Sequence, residues 1–447
     1  MSKTFCPMPW NSVNLRNNGD MRICCNANSY TKNKGILRKE DGTAFNIGKD
    51  DINEARNSDT LKQVRSSMLK GEWHSECERC RQEETNGIKS RREYEVELWN
   101  TVEDNVKDKT LEDGTIKAEE IPIDYFDIRY GNFCNLKCRM CAPTESHTWY
   151  NDYVELHKVN KFKDTHDTII LSKNNKGRWV TDQYDWFKNS NHYWSQFEKY
   201  TKDAKKFYIV GGEPLIIEEH IDSLERLIFN GRANEISIEY NSNLTNVPQR
   251  IIKIWEKFKQ VRIGASIDGY GDVFEYRRTP ANWESVYNNL LKLDSNTNIN
   301  LVGWFAFTIT PFNIFHLPEF MKWKLTESNL NRFNNIRGAR KIISHHMCHA
   351  PRHYNVKCLP GEIKQDVDKH FNEYKEWAKC QPELVYKDFC KLLDGVSRFM
   401  NSESYYDPHF KDFIDITVKL DKIRNQDVRE IVPQYKKYFD AYYERKS

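Results

Sequence analysis

Three cysteines fall within eight residues, Cys134-Asn-Leu-Lys-Cys138-Arg-Met-Cys141, and they constrain this chain more than any other feature. Thiolates spaced this closely suit a shared metal centre. Three of them can hold three irons of a 4Fe–4S cube and leave the fourth iron without a protein ligand. An open coordination position marks a catalytic metal rather than a structural one. A zinc knuckle with a remote fourth ligand is the competing reading of the spacing alone. The loop follows the strand-like run Ile123–Tyr130. In α/β folds, the loop after a strand is where chemistry is placed.

Strand signals continue at Phe207–Val210, Ile236–Tyr240, Val261–Ile267 and Asn300–Ile309, with a weaker one at Arg340–His345. Helical patterns lie between them, at Ser146–Lys158, Glu218–Phe229, Pro248–Lys259, Trp283–Leu293 and Leu317–Leu325. Alternating strands and helices predict a parallel α/β sheet, closed or half-closed. Residues 159–203 interrupt this alternation with Trp179, Tyr184, Trp186, Phe187, Tyr193 and Trp194. Such an insertion either shapes access to a site or packs its aromatics into a local core. Residues 351–447 read as helices broken by prolines. The 447 residues allow about three units at roughly 150 residues each. Aromatic residues make up 13% of the chain, which excludes a disordered one. No apolar run approaches the ~18 residues of a membrane span, and the first residues lack a signal-peptide core, so a cytoplasmic location is expected. The formal net charge of +3 gives no electrostatic reason to expect a nucleic-acid partner.

The chain has twelve cysteines, and Cys6, Cys24, Cys25, Cys77 and Cys80 all precede the α/β region. Residues 1–100 are loop-rich. Trp10–Leu15 and Met21–Cys24 read as a hairpin across Asn17-Asn18-Gly19-Asp20, and Ser58–Lys70 reads as an amphipathic helix. Residues 101–122 read as a linker. Cys6, Cys24, Cys77 and Cys80 are proposed as a fully ligated site. Cys25 is the alternative to Cys24, since neighbours on a strand face opposite ways. Zinc and iron–sulfur both suit four cysteines. Cys348, Cys358, Cys380 and Cys390 read as buried free thiols. The run His345-His346-Met347-Cys348-His349 reads as a strand end, and Lys89–Arg92 as a solvated face.

The Cys-x3-Cys-x2-Cys motif and its setting resemble the radical S-adenosylmethionine (radical SAM) enzymes. The likeness continues in order through Gly211-Gly212-Glu213-Pro214, Asn241-Ser242-Asn243, Ser266-Ile267-Asp268-Gly269 and Arg277. The segment Cys6-x12-Gly19-x4-Cys24 with Cys77-x2-Cys80 resembles a SPASM motif shortened to a twitch domain. Two departures stand out: Met140 occupies a place usually held by an aromatic residue, and the cysteine domain precedes the barrel instead of following it.

The resemblance implies an α/β fold: a partial (β/α)6 barrel over residues 123–350, a small iron–sulfur domain before it and a helical region after it. It implies two 4Fe–4S clusters, one on Cys134, Cys138 and Cys141 and an auxiliary one on the N-terminal cysteines. S-adenosyl-L-methionine would be held by Gly211, Gly212, Glu213, Asn241, Asn243, Ser266, Asp268 and Arg277. The implied activity is reductive cleavage of that cofactor to a 5′-deoxyadenosyl radical, which takes hydrogen from a substrate. A peptide or protein side chain is the leading substrate class, and a small molecule (a cofactor precursor, sugar or nucleoside) the second. A non-catalytic iron–sulfur or zinc module is a distant third. Implied partners are the substrate and an electron donor such as flavodoxin or ferredoxin, with no membrane and no nucleic acid.

Overall fold

The computed structural model describes residues 3–28, 30–85, 89–99, 102–163, 168–336 and 339–444. One eight-stranded sheet organises them. Its strands are β1 (Ser12–Leu15), β2 (Met21–Arg22), β3 (Tyr125–Arg129), β4 (Lys206–Val210), β5 (Ser237–Ser242), β6 (Gln260–Ser266), β7 (Leu301–Ile309) and β8 (Ser344–Met347), in the spatial order β8-β7-β6-β5-β4-β3-β1-β2. From β3 to β8 the strands are parallel and follow chain order. The N-terminal hairpin does not stand apart: β1 pairs in parallel with β3, and β2 pairs antiparallel with β1.

The register sorts side chains onto two faces. Val13, Phe126, Phe207, Ile238, Val261 and Leu301 lie in one lateral row and are buried. The helices between the strands carry apolar residues on the side they bury. Examples are Leu224 and Leu227 in Glu218–Phe229, and Leu290 and Leu293 in Trp283–Ser295. The next row, displaced by one residue, is polar: Arg22, Asn14, Asp127, Tyr208, Glu239 and Arg262. Period-two alternation makes this the opposite face of the sheet. Burial opposes ionisation of Glu239, but Lys206 and Arg262 prevail and hold its carboxyl down to about 2.

Several expectations shift. Residues Met8–Asn11 form a helical turn with proline in its first turn, so the first strand begins at Ser12 rather than Trp10. The sixth parallel strand is Ser344–Met347, later than expected, and it carries His345 and His346. Residues 102–122, expected as linker, pack tightly: Ile116 and Ile121 are buried, and Gly114 adopts φ +87° with its open side against the Lys62 carbonyl. The basic run 89–92 is not uniformly solvated. Arg91 pairs with Glu95, and Arg92 pairs with Glu84 and donates to the Phe5 carbonyl. Cys348 and Cys358 are buried as expected, whereas Cys380 is exposed and Cys390 half-buried.

In the insertion, Tyr184, Phe187 and Tyr193 are buried. The Trp186 indole donates to the Asn17 carbonyl at 3.0 Å and stacks on Tyr130 at 6.0 Å. A Cβ on Gly19 would lie 2.7 Å from this ring. The insertion thus packs the hairpin turn onto the end of β3, and its aromatics are largely core. No helix among the described residues is long and apolar enough to cross a membrane.

Candidate functional site

The loop after β3 carries Cys134, Cys138 and Cys141. It docks on the segment after β6 through two backbone bonds: Lys137 N donates to the Thr279 carbonyl and Arg139 N to the Arg277 carbonyl, each at 2.8 Å. The Trp149 indole closes the other side by donating to the Cys138 carbonyl at 2.9 Å. Cys134 and Cys138 are buried, and Cys141 is half-buried.

The three thiols sit in one electrostatic environment. A hydrogen bond from the Cys141 thiol holds Cys138 down to about 7; burial opposes this, while Arg278 and Arg277 reinforce it. The Arg278 guanidinium lies 3.7 Å from the Cys138 sulfur. Burial pushes Cys134 up to about 12, and the charges of Cys138 and Glu213 add to the effect. The Leu136 amide faces the Cys134 sulfur at 3.4 Å. Thiols that raise one another's cost of ionisation need a cation to be ionised together, so this donor set fits an iron–sulfur cluster.

The ends of the neighbouring strands converge on this loop. After β4, Gly211 and Gly212 have φ of +89° and +55°. A Cβ on Gly212 would lie 2.1 Å from the Phe133 carbonyl oxygen, and Glu213 N donates to that same oxygen at 2.8 Å. The Glu213 carboxylate is fully occupied by its surroundings. It accepts from the Ser242 hydroxyl at 2.7 Å, from Asn243 N at 2.7 Å and from Leu215 N at 3.2 Å. Burial raises its pKa to about 7. Asn243 reaches the loop itself, donating to Asn135 at 3.1 Å and lying 4.0 Å from the Cys134 sulfur. Asn241 is exposed and donates to the Tyr208 hydroxyl at 2.8 Å. Ser266 is half-buried at the end of β6.

Asp268 and Arg277 point into protein. Asp268 accepts from Arg278 Nε at 2.7 Å and from Thr308 N at 2.6 Å. Arg277, fully buried, donates to the Asp268 and Thr308 carbonyls. Its neighbour Arg278, absent from the expected set, is the residue against a cluster thiol. Arg277 ends the helix Gly271–Arg277 and Arg278 follows it in a non-helical conformation, a turn that sequence order alone does not resolve. Arg139 was missed as well. It lies between two of the cysteines, fully buried, and pairs with Asp421 of the C-terminal helix Tyr406–Arg424.

The N-terminal cysteines come from three segments. Cys6 precedes the first helical turn, Cys24 follows β2, and Cys77 and Cys80 lie on a short turn and the helix Glu78–Thr85. Burial raises the Cys6 thiol, and the charges of Cys24, Cys77 and Cys80 add to it. Burial pushes Cys77 up to about 12, with Cys80 adding. These four thiols share one field, and as donors they too fit a cluster. Cys25 acts on Cys24 and also on Arg22, Arg91, Arg129, Tyr125 and Tyr208, toward the polar face of the sheet. Among the described residues, no three His, Cys, Asp or Glu side chains close on a point as a single bound ion requires. The fit at both sites therefore rests on donor type and proximity.

Residues 6–81 match the SPASM family, an iron–sulfur cluster-binding domain. This agrees with the pattern read from Cys6, Gly19, Cys24, Cys77 and Cys80. No curated protein matches the sequence. Among solved structures, the chain is similar to native anSMEcpe with bound AdoMet, at 14% identity over 61% of this chain and 63% of that one, TM-score 0.36. It is also similar to Streptococcus suis SuiB bound to S-adenosylmethionine, at 11% identity over 82% and 68%, TM-score 0.32. A third similar structure is SuiB bound to precursor peptide SuiA, at 12% identity over 75% and 67%, TM-score 0.31. The chain thus spans under two thirds of anSMEcpe.

Proposed function

We propose that this chain is a radical S-adenosylmethionine enzyme carrying its SPASM-type domain in front of the catalytic sheet. The observation that carries this reading is the cysteine loop at the end of the first parallel strand, with Gly211–Glu213, Asn243 and Arg278 gathered around it. Cys134, Cys138 and Cys141 would hold a 4Fe–4S cluster, which together with S-adenosyl-L-methionine would supply radical hydrogen-abstraction chemistry at this site. The second cluster belongs to Cys6, Cys24, Cys77 and Cys80.

This chain's own residues orient and shield. Arg278 offers its guanidinium to the Cys138 sulfur, and the Leu136 amide faces Cys134. Charge-assisted contacts of this kind favour the thiolate form that binds metal. Gly212 keeps the loop after β4 tight against Phe133, and Glu213 ties that loop to β5. The glycine carbonyls are left as candidates for the cofactor's ammonium. Asp268 and Arg277 support the wall through their bonds to Arg278, Thr308 and each other, and Arg278 is the cation facing the thiols. We assign the substrate to the peptide and protein class, which SPASM-bearing radical enzymes commonly take.

The test is anaerobic reconstitution followed by dithionite and S-adenosyl-L-methionine. About eight irons per chain, the content of two cubes, and formation of 5′-deoxyadenosine are expected. Replacing Cys134, Cys138 and Cys141 together by Ala should remove that product while leaving the N-terminal iron bound. Product formation by the triple variant would refute the reading.

A further inference from the structure

A cavity of about 310 Å³ lies between the two cysteine regions. Cys24 and Cys25 border it on the N-terminal side. Thr144 and Glu145, which follow the Cys134–Cys141 loop, border it on the other. A wider hollow of about 1060 Å³, lined by Glu198, Asp222, Arg226 and their neighbours, touches none of the candidate site residues.

The lining of the smaller cavity is unbalanced in charge. Arg16, Arg22, Lys34, Arg79 and Arg129 contribute to it, Arg79 being paired with Glu83, against the carboxylate of Glu145 and the Cys24 ligand of the proposed auxiliary cluster. Glu145 already accepts from the Ala142 amide at 3.1 Å. Arg22 and Arg129 form its inner wall. They share one buried carboxylate, Asp127, at 3.0 Å and 3.3 Å. Two guanidiniums on one carboxylate leave a net positive charge. The Nε of Arg22 is buried without a hydrogen-bond partner, whereas the Nε of Arg129 is the atom that faces Asp127. Buried donors left unpaired cost free energy, and guanidinium forks match planar or tetrahedral oxyanions.

We propose that this cavity binds an anionic group of the substrate, a carboxylate or a phosphate, on the guanidinium groups of Arg22 and Arg129. The proposal rests on the radical-enzyme reading, because the cavity gains its meaning from lying beside the Cys134–Cys141 loop. It deepens that reading by specifying an acidic or phosphorylated peptide. The anion would fix the peptide through a group other than the one that reacts. Arg22 is supplied by the N-terminal hairpin and Arg129 by β3, so the joined sheet itself builds this subsite.

The test uses the reconstituted full chain. Binding of three peptides is measured by equilibrium dialysis at low and high salt: an N-acetylated triglutamate, its triglutamine counterpart and a phosphoserine peptide. Preference for an anionic peptide, falling with salt, is expected, and the stronger of the two identifies carboxylate or phosphate. Arg22→Gln and Arg129→Gln should each weaken that binding by about tenfold or more, the cost of losing a charged hydrogen bond. Arg22→Lys, which keeps the charge and loses the fork, should fall between. Phenylglyoxal labelling read by mass spectrometry supplies a readout that needs no variant: the anionic peptide should protect Arg22 and Arg129. Equal binding of triglutamine and both anionic peptides, or labelling of the two arginines unchanged by peptide, would overturn the proposal. Formation of 5′-deoxyadenosine without substrate is measured in parallel. If it occurs while anion binding is absent, the subsite fails and the radical reading stands. If anion binding follows the arginines while no 5′-deoxyadenosine forms, the reverse holds.

Discussion

The thiols of Cys134, Cys138 and Cys141 come from one loop, whereas Cys6, Cys24, Cys77 and Cys80 come from three separated segments. The first set is close because of chain connectivity, and the second because of packing. Their supports are reversed. The single loop depends on walls from distant sequence: Arg278 after β6, Asn243 after β5 and Asp421 in the C-terminal helix. The dispersed set lies in a region whose backbone segments are tied together by two buried arginines. Arg56 donates to the Trp10 and Ile121 carbonyls, and Arg65 donates to the Gly114, Pro9 and Arg56 carbonyls. Burial lowers these two guanidiniums to about 10 and about 9. Their role is to join backbone segments. Spacing in sequence therefore reports how a metal site is gathered but says little about what holds it.

The largest effect should come from the wall of the single loop. Asp421→Ala leaves the Arg139 guanidinium buried without its carboxylate, which costs about 3–5 kcal/mol. Urea unfolding should show that loss. Iron should fall at the Cys134–Cys141 site while the N-terminal iron persists. Equal loss at both sites would mean that the two regions unfold as one, and the contrast between them would collapse.

The reciprocal variant is Arg65→Met, which leaves the Gly114 and Pro9 carbonyls without their donor. Unsatisfied buried acceptors make a cost of about 2–3 kcal/mol reasonable. Iron should now fall at the N-terminal cysteines and persist on the single loop. Gly212→Ala is a smaller perturbation. The added methyl meets the Phe133 carbonyl at a left-handed φ, at a cost of about 1–3 kcal/mol. Its effect should be confined to the single loop, seen as altered cluster absorbance with the N-terminal signal unchanged.

Much of this was legible in the sequence. The parallel strands stand within two residues of their expected places from Tyr125 to Ile309, because β-branched and aromatic runs between helical periods carry a strong signal. The N-terminal iron–sulfur region was legible from spacing too, in agreement with the SPASM match over residues 6–81. Lateral register was not. Nothing local indicates that Asn14 lies beside Asp127, or that β1 continues the sheet past β3. The cavity wall of Arg22 and Arg129 follows only from that pairing. The insertion resisted for another reason. Its two short hairpins, Lys161–Lys163 with Thr168–Ile170 and Ser172–Lys173 with Trp179–Val180, are too brief for periodicity to show which way Trp186 turns.

The smallest perturbation addresses the one ambiguity that adjacency left open. Cys24 and Cys25 are neighbours just beyond β2, and sequence allows either to join Cys6, Cys77 and Cys80. Their electrostatic neighbours differ. Cys24 shares its field with Cys25, Cys77 and Cys80. Cys24 and Cys25 both act on Arg22, whereas Cys25 alone of the two also acts on Arg129. Both are half-buried, so replacing either thiol by a hydroxyl changes volume and burial little, and the stability of the iron-free chain should move by about 0.5 kcal/mol or less. The outcomes should nevertheless separate. Cys24→Ser should strip the N-terminal iron, because a serine hydroxyl is a poor substitute for a thiolate donor. Cys25→Ser should keep all the iron and change only what the adjoining cavity binds. Iron analysis of the two reconstituted variants decides it. Loss of iron in Cys25→Ser with retention in Cys24→Ser would reverse the assignment and move the auxiliary cluster onto the polar face of the sheet.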